Sequence, residues 1–299
     1  METRYAQAIR ILPPRLRECA AGLSEEKQIQ AEEIRLRVGY PMAVVLPEGE
    51  RLLSEKSVQQ SDLERLVELA SGASVHTVLE QLRQGYLTIE GGHRVGLCGS
   101  VVLQDGSVHR LTNFSSANIR IARQMTGVAH FVLDRLWDGG TLSSTLILAP
   151  PGLGKTTLLR DLIRVISEGD GGLSLRVAVV DERGELAASR CGIPQLNMGR
   201  QTDVLDGCPK AQGLMMLLRS MNPQVLAMDE ITSPEDIRAM QTAVGCGVIL
   251  LATAHGTGLE DLNLRTLYQP LLKDRLFQRL VLIRWENGER NYIVKELMQ

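Results

Sequence analysis

Aromatic residues and net charge are both scarce in this chain, and each scarcity disfavours a class of partner. Aromatic residues make up 3% of the 299 positions, which disfavours stacking against the bases of a single-stranded nucleic acid. The formal net charge is −2, so no general basic field attracts nucleic acid or anionic lipid. We therefore expect no nucleic-acid partner.

Disulfide-forming cysteine pairs, membrane spans and targeting segments are missing as well. The five cysteines lie far apart with no C-x-x-C pair, a pattern typical of reduced thiols in a cytosol. No apolar run approaches the roughly 18 residues of a membrane span, and the longest, 247–254, has the length of a buried strand. The N-terminus lacks the apolar segment of a signal peptide. These absences predict a cytoplasmic protein that associates with any membrane only peripherally.

The most informative segment is Leu146–Thr157, which reads LILAPPGLGKTT. An apolar run leads into a glycine-rich loop, and a helical pattern follows over 156–167, so the order is strand, phosphate-binding loop, helix. The loop N–H groups and the positive end of the helix can surround an anion. Lys155 is predicted to reach the β- and γ-phosphates of ATP, and Thr156 to hold Mg²⁺. The predicted nucleotide-binding residues are Ala149, Pro150, Pro151, Gly152, Leu153, Gly154, Lys155, Thr156 and Thr157.

Two acid-tipped strands follow this loop. The strand predicted over 175–181 leads into Glu182, and the strand predicted over 224–229 ends in Asp229 and Glu230. Open α/β sheets bind ligands at the carboxyl ends of their strands. We predict that Asp229 holds Mg²⁺ through water, and that Glu182 or Glu230 is the base that orients water for attack on the γ-phosphate. An acidic solvated turn and a helix cap are the alternatives for the two segments.

A third strand and one loop supply further candidates. The strand predicted over 247–254 is followed by His255, for which we expect a role in sensing the γ-phosphate, with a bystander histidine as the alternative. The segment 197–210 is polar and glycine-rich, which predicts either a functional loop lining the cleft or a central pore, or an ordinary surface loop. Its charged candidates are Arg200, Asp203 and Lys210.

The two halves of the chain differ in pattern. Residues 1–125 combine short alternating strands, turn signals and helical segments, which is typical of a small α+β domain. Residues 141–299 alternate apolar strands with helices, which favours an α/β domain with a mostly parallel sheet covered on both faces. The segment 126–140 is the predicted linker, and we expect one helix in it from Gly127 to the Gly139-Gly140 pair.

Taken together, these blocks resemble the secretion ATPases of type II and type IV machines. The matching elements are the phosphate loop, the acidic box 181–185, the segment 219–231 and a histidine box at 253–256. The chain resembles still more closely the stage III sporulation protein AA family of endospore-forming bacteria, over nearly its whole length and outside the ATPase motifs. The additional motifs are EIRLR at 33–37, EGGHRVGLCG at 90–99, NIRIAR at 118–123 and TDVLDGCPK at 202–210.

The resemblance implies a RecA-like P-loop ATPase domain, with ATP and Mg²⁺ as ligands, in a homo-hexamer. It also implies peripheral attachment, through a membrane protein of the same channel assembly, to the inner face of the mother-cell membrane. We accordingly expect an ATP-hydrolysing motor that energises or assembles a secretion-like channel between mother cell and forespore during endospore formation. The alternatives are an ATP-dependent oligomeric scaffold with little turnover, and a RecA-like DNA motor, which the neutral charge disfavours.

We further expect an arginine of the N-terminal half to complete the site of a neighbouring subunit. The candidates are Arg94, which follows a Gly-Gly turn, and Arg120 and Arg123, on the strand that leads into the linker. An arginine supplied in trans stabilises charge on the transferring γ-phosphoryl group. Because Arg120 and Arg123 are an odd number of residues apart, a regular strand would turn them to opposite faces. A solvated or salt-bridged arginine is the alternative at each position.

Overall fold

The computed structural model describes residues 3–72, 75–170 and 172–297. The chain divides into two compact units. The first unit contains residues 1–123 and 188–195, and the second contains residues 124–187 and 196–299.

The first unit is an antiparallel sheet with helices packed against it. Its helices are α1 (Arg4–Ala8), α2 (Pro14–Ala21), α3 (Glu25–Gln30), α4 (Gln60–Ser71) and α5 (Val75–Arg83). Its strands are β1 (Glu33–Arg37), β2 (Pro41–Leu46), β3 (Gly49–Ser57), β4 (Tyr86–Thr88), β5 (Arg94–Gln104) and β6 (Ser107–Arg120), in the order β3-β2-β1-β6-β5-β4. The alternation of β1 buries Ile34 and Leu36 in a core that includes Leu16 of α2 and Leu63 of α4. β4 and β5 pair across Gly91-Gly92, and β5 and β6 form a hairpin that turns at Asp105-Gly106.

The second unit is an α/β domain built on a mostly parallel sheet. Its helices are α6 (Lys155–Glu168), α7 (Lys210–Ser220), α8 (Pro234–Gly245), α9 (Leu259–Leu264) and α10 (Gln269–Lys273). Its strands are β7 (Trp137–Asp138), β8 (Thr141–Leu142), β9 (Thr145–Ala149), β10 (Val177–Asp181), β11 (Thr202–Asp206), β12 (Val225–Met228), β13 (Ile249–His255), β14 (Arg279–Glu286) and β15 (Glu289–Glu296). The main sheet has the order β11-β10-β12-β13-β9-β14-β15, and β15 is its antiparallel edge.

Helices cover both faces of this main sheet. Ile147 of β9 packs into a core with Leu159 of α6, whereas Leu146 of β9 faces a second core with Met240 of α8. Because both faces are covered, the central strands are mostly apolar. The start of α8 is fixed as its sequence predicts: the Ser233 hydroxyl accepts the Asp236 N–H in a capping box, and a proline begins the helix. The expected α/β class with a mostly parallel sheet is confirmed.

The prediction of a single helix from Gly127 to Gly140 is wrong. The chain forms two 3₁₀ turns, 128–131 and 133–136, and then the β7–β8 hairpin. Gly139 and Gly140 have φ values of +54° and +85°, so they form the hairpin turn and not a helix cap. A tertiary contact also stabilises the first turn, because the Ala129 N–H donates to the buried carboxylate of Asp161 at 2.8 Å.

Two further expectations about local structure are corrected. The segment 197–210 is not all loop, because it contains β11, which pairs in parallel with β10 at the sheet edge. Arg123 does not lie on a strand: β6 ends at Arg120. The Arg123 guanidinium instead donates to the carbonyl oxygens of Ile29 and Ala31, at 2.8 and 2.9 Å.

Candidate active site

The predicted phosphate loop joins β9 to α6. Ala149 ends the strand, Lys155 begins the helix, and Thr156 and Thr157 lie in its first turn. Gly152 and Gly154 have φ values of +78° and +96°, a left-handed conformation in which glycine is strongly preferred. Pro150, Pro151 and Leu153 complete the loop. The strand, loop and helix therefore stand in the order that directs N–H groups toward an anion.

Lys155 is the cation of this loop, and the residue is buried, with 7% of its surface exposed. Its Nζ donates to the carbonyl oxygens of Ala149 and Pro150 at 3.0 and 3.2 Å, and lies 3.0 Å from Nδ1 of His255. Burial lowers the pKa of Lys155, and the carboxylates of Asp229 and Glu230 oppose that shift. The side chain is thus held at the loop by groups that phosphate oxygens can replace.

The contact with Lys155 fixes the tautomer of His255. An ammonium group has no acceptor, so Nδ1 of His255 accepts from Lys155 and the ring proton is on Nε2. That nitrogen lies 2.7 Å from Oε1 of Glu230. The three side chains therefore form a continuous donor–acceptor series from the phosphate loop to a carboxylate.

Glu230 is held in an uncommon backbone conformation. Its φ is +56°, in the left-handed region that residues with a side chain rarely adopt. Besides His255, its carboxylate contacts the Arg183 guanidinium at 3.3 Å. The carboxylate thus faces the phosphate loop and is held by groups on two sides.

Thr156 and Asp229 form the candidate metal-binding pair. The Thr156 hydroxyl donates to Oδ2 of Asp229 at 2.6 Å. Both groups supply the hard oxygen donors that Mg²⁺ prefers, and Mg²⁺ usually combines one or two protein ligands with water and phosphate oxygens. Within the described part of the chain, no cluster of three or more His, Cys, Asp or Glu side chains offers a metal site built from protein alone. The donor chemistry of Thr156 and Asp229 therefore fits Mg²⁺.

Two acids of the acidic box 181–185, Asp181 and Glu182, have different surroundings. Asp181 is 3% exposed, and its carboxylate accepts the N–H groups of Glu185, Leu186 and Ala187. Burial raises the pKa of Asp181, and these N–H groups oppose the shift. Asp181 thus shapes the loop, and Glu182 is left to face the cleft.

Glu182 is paired with a buried lysine. Its Oε2 lies 2.9 Å from Nζ of Lys210, whose side chain is 6% exposed. Both residues line a small cavity together with Asp229 and Glu230. Of the charged candidates from 197–210, only Lys210 reaches this cleft: Arg200 pairs with Glu168 at 2.7 Å, at the far end of α6, and Asp203 is exposed on β11.

Asp206, at the end of β11, is expected to make the stability of the fold depend on pH. Burial, with nearby Asp181, raises its pKa to about 6. The folded chain then holds this proton to higher pH than the unfolded chain, so stability is lost as pH rises from about 4 to about 6. We expect Asp206→Asn to raise the free energy of unfolding at pH 7.5 by about 1 kcal/mol, a value discounted because the group is only partly buried.

Urea unfolding at pH 4 and pH 7.5 measures this effect. Asp203→Asn removes an exposed carboxylate from the same strand and controls for the change in net charge. An equal gain in the two variants, or a gain for Asp206→Asn that is as large at pH 4, would contradict the assignment.

The three candidate trans arginines lie in the first unit and differ in their contacts. Arg94 stacks on Tyr86, 3.8 Å from the ring centroid. Arg120 is 68% exposed and lies 3.6 Å from Glu33, whereas Arg123 is held by the two backbone carbonyl oxygens described above. The side chain of Arg120 is therefore largely accessible.

Some residues of the site are not among the predicted site residues. Arg160 is buried and donates to the carbonyl oxygens of Glu185 and Leu186, both at 2.6 Å, which fixes the acidic box from α6. Arg183 and Thr253 contact Glu230. Thr253 begins the histidine box 253–256, in which only His255 was predicted to be a site residue.

Residues 2–294 match the family described as "Sporulation stage III, protein AA". The chain belongs to this family. It is 40% identical over 270 residues to stage III sporulation protein AA of Bacillus subtilis (strain 168), covering 90% of the chain and 87% of that protein. It is also 28% identical over 262 residues to the uncharacterized protein ycf45 of Porphyra purpurea, covering 85% of the chain but only 41% of that relative.

Two solved structures share the fold. The pilus retraction motor PilT, determined with bound ADP, matches with a TM-score of 0.62 and 16% identity over 90% of this chain and 80% of that one. The ATPase DotB of Legionella pneumophila matches with a TM-score of 0.55 and 15% identity over 89% and 76%. The expected RecA-like fold, preceded by a small α+β region, and the expected family are both confirmed.

Proposed function

We propose that the chain is a Mg²⁺-dependent ATP hydrolase. The observation that carries the proposal is the series from Lys155 through His255 to Glu230, beside the pair of Thr156 and Asp229. It brings a phosphate-binding cation, a metal-binding pair and a carboxylate to one edge of the sheet, which is what transfer of a γ-phosphoryl group to water requires. Nucleotide binding and turnover by a Lys155→Ala variant test the proposal.

Each side chain of the site has a proposed task. Lys155 exchanges the Ala149 and Pro150 carbonyl oxygens for the β- and γ-phosphates. Mg²⁺, held by Thr156 and through water by Asp229, would neutralise charge on those phosphates. Glu230 is the proposed base, which accepts a proton from the attacking water. Its carboxylate is linked to Lys155 of the phosphate loop through His255.

His255 and Glu182 have supporting assignments in this scheme. His255 donates its Nε2 proton to Glu230 and so holds that carboxylate toward the phosphates. Glu182 is ion-paired with Lys210, and it remains the alternative base, because it lines the same small cavity.

The comparisons support a role for this activity in sporulation. The Bacillus subtilis relative is named for sporulation stage III, and PilT, which shares the fold, is described as a motor. We propose that the chain acts as a homo-hexameric motor, which energises or assembles a secretion-like channel between mother cell and forespore.

We also propose that Arg120 completes the site of a neighbouring subunit. If so, Lys155→Ala and Arg120→Ala proteins are each inactive alone, but a mixed assembly contains interfaces with one intact contribution from each. We expect an equimolar mixture to regain a measurable part of wild-type turnover. Arg110→Ala, which removes an exposed arginine from the same strand, should stay active alone. No recovery in assemblies shown to mix would leave the site as a single-chain one.

Attachment to the mother-cell membrane is proposed to need a protein partner. Among the residues that the structure describes, no helix combines the length and the apolar character needed to cross a bilayer. We expect the purified protein not to sediment with protein-free anionic vesicles at physiological salt; tight binding to such vesicles would contradict this.

A further inference from the structure

Thr253 is a buried polar residue in an otherwise apolar strand. The strand β13 reads ILLATAH, and Thr253 is 0% exposed. A buried hydroxyl needs hydrogen-bond partners, and this one finds both in the residues that follow β12. We propose that Thr253 is a positioning residue that fixes the metal-binding carboxylate of Asp229 and the backbone of Glu230. The inference rests on the proposed function.

The direction of each hydrogen bond is determined by the groups involved. The Thr253 hydroxyl accepts the Glu230 N–H at 2.8 Å and donates to Oδ1 of Asp229 at 2.5 Å, because an N–H group only donates and an ionised carboxylate only accepts. The other carboxylate oxygen, Oδ2, accepts from Thr156. Two hydroxyls, one from β13 and one from α6, therefore set the plane of the Asp229 carboxylate.

Thr253 also holds the left-handed turn at Glu230. Its hydroxyl receives the Glu230 N–H, and its carbonyl oxygen accepts the Ile231 N–H at 2.9 Å. The turn directs the Glu230 carboxylate to His255, which lies two residues after Thr253 and therefore on the same face of β13. One side chain thus sets the positions of both acids relative to the phosphate loop.

The alternative is that Thr253 only fills the core. Valine and serine substitutions distinguish a positioning residue from a core-filling one. Thr253→Val keeps the shape and removes the hydroxyl, whereas Thr253→Ser keeps the hydroxyl and removes a methyl group. A core-filling residue is damaged more by serine. A positioning residue is damaged more by valine.

The experiment measures affinity for a fluorescent ATP analogue with and without Mg²⁺, together with ATP turnover. For Thr253→Val we expect unchanged Mg²⁺-free affinity, a Mg²⁺ concentration for half-saturation raised roughly tenfold, and turnover lowered about 10- to 100-fold, the effect of losing a hydrogen-bond partner of a metal ligand. Thr253→Ser should keep Mg²⁺ dependence close to wild type. The control is Thr145→Val, since Thr145 is also 0% exposed but its hydroxyl bonds to the Ser143 carbonyl oxygen, outside the site.

Equal Mg²⁺ dependence in wild type and Thr253→Val, or a larger defect in Thr253→Ser than in Thr253→Val, would overturn the inference. If Thr253→Val melts below the assay temperature, Thr253→Ser compared with Thr253→Ala isolates the hydroxyl instead. If the wild-type protein binds nucleotide but does not hydrolyse it, the Mg²⁺ dependence of nucleotide binding still tests the inference. A wild-type protein that binds no nucleotide refutes the proposed function, and the inference with it.

Discussion

Replacing Lys155 by alanine is expected to abolish ATP hydrolysis and to weaken ATP binding by at least about 100-fold. A hydrogen bond to a charged group contributes about 1.5–3 kcal/mol, and Lys155 is positioned to make such bonds to two phosphates, so the loss corresponds to roughly that factor. Lys155 is the only basic residue in the segment 146–157.

Equilibrium binding of a fluorescent ATP analogue and the release of phosphate measure this prediction. Lys273→Ala removes an exposed lysine from α10 in the same unit and should behave as wild type in both assays. Thermal melting separates a lost site from a lost fold. Wild-type binding by a folded Lys155→Ala protein would refute the phosphate-loop assignment.

Replacing Glu230 by glutamine is expected to leave ATP binding intact and to slow hydrolysis by about 10²-fold or more, because a positioned general base contributes about that factor. The substitution keeps the shape of the side chain and removes its capacity to accept a proton. Glu182→Gln should have a smaller effect, within about tenfold, since Glu182 is occupied by Lys210. Single-turnover phosphate release, with binding measured separately, distinguishes the chemical step from affinity.

Asp229→Asn supplies the contrast with both glutamates. Because Asp229 is paired with Thr156, its change should raise the Mg²⁺ requirement and not act on proton transfer alone. If Glu182→Gln abolishes turnover while Glu230→Gln retains it, the base is Glu182 and the role given to the series from Lys155 to Glu230 is wrong.

The sequence predicted the centre of the second unit well because that region combines strong local signals. The apolar strands β9, β10, β12 and β13 are short and buried, and each leads to residues of the types that a ligand-binding edge uses. Their parallel pairing places Ala149 beside His255 in register, so residues far apart in sequence meet. The pairing partners of Glu182 and Glu230, in contrast, depend on side-chain positions that no pattern specifies.

The misassigned segments have weak or misleading local patterns. β11 is an edge strand in which three of the five residues are polar, so its composition resembles that of a loop, and its strand structure depends on pairing with β10. The Gly139-Gly140 pair fits both a helix end and a hairpin turn, and the contact between Ala129 and Asp161 that favours the short turns is tertiary. Thr253 belongs to the histidine box, but the sequence pattern does not show that its hydroxyl bonds to Asp229 and Glu230.

ATP hydrolysis measured against protein concentration tests the central proposal most directly, with Lys155→Ala protein as the baseline. The proposed motor predicts Mg²⁺-dependent phosphate release whose rate per chain rises with concentration as assemblies form. Nucleotide binding with no phosphate release above the Lys155→Ala baseline, at any concentration, would contradict it and identify the chain as a nucleotide-dependent scaffold.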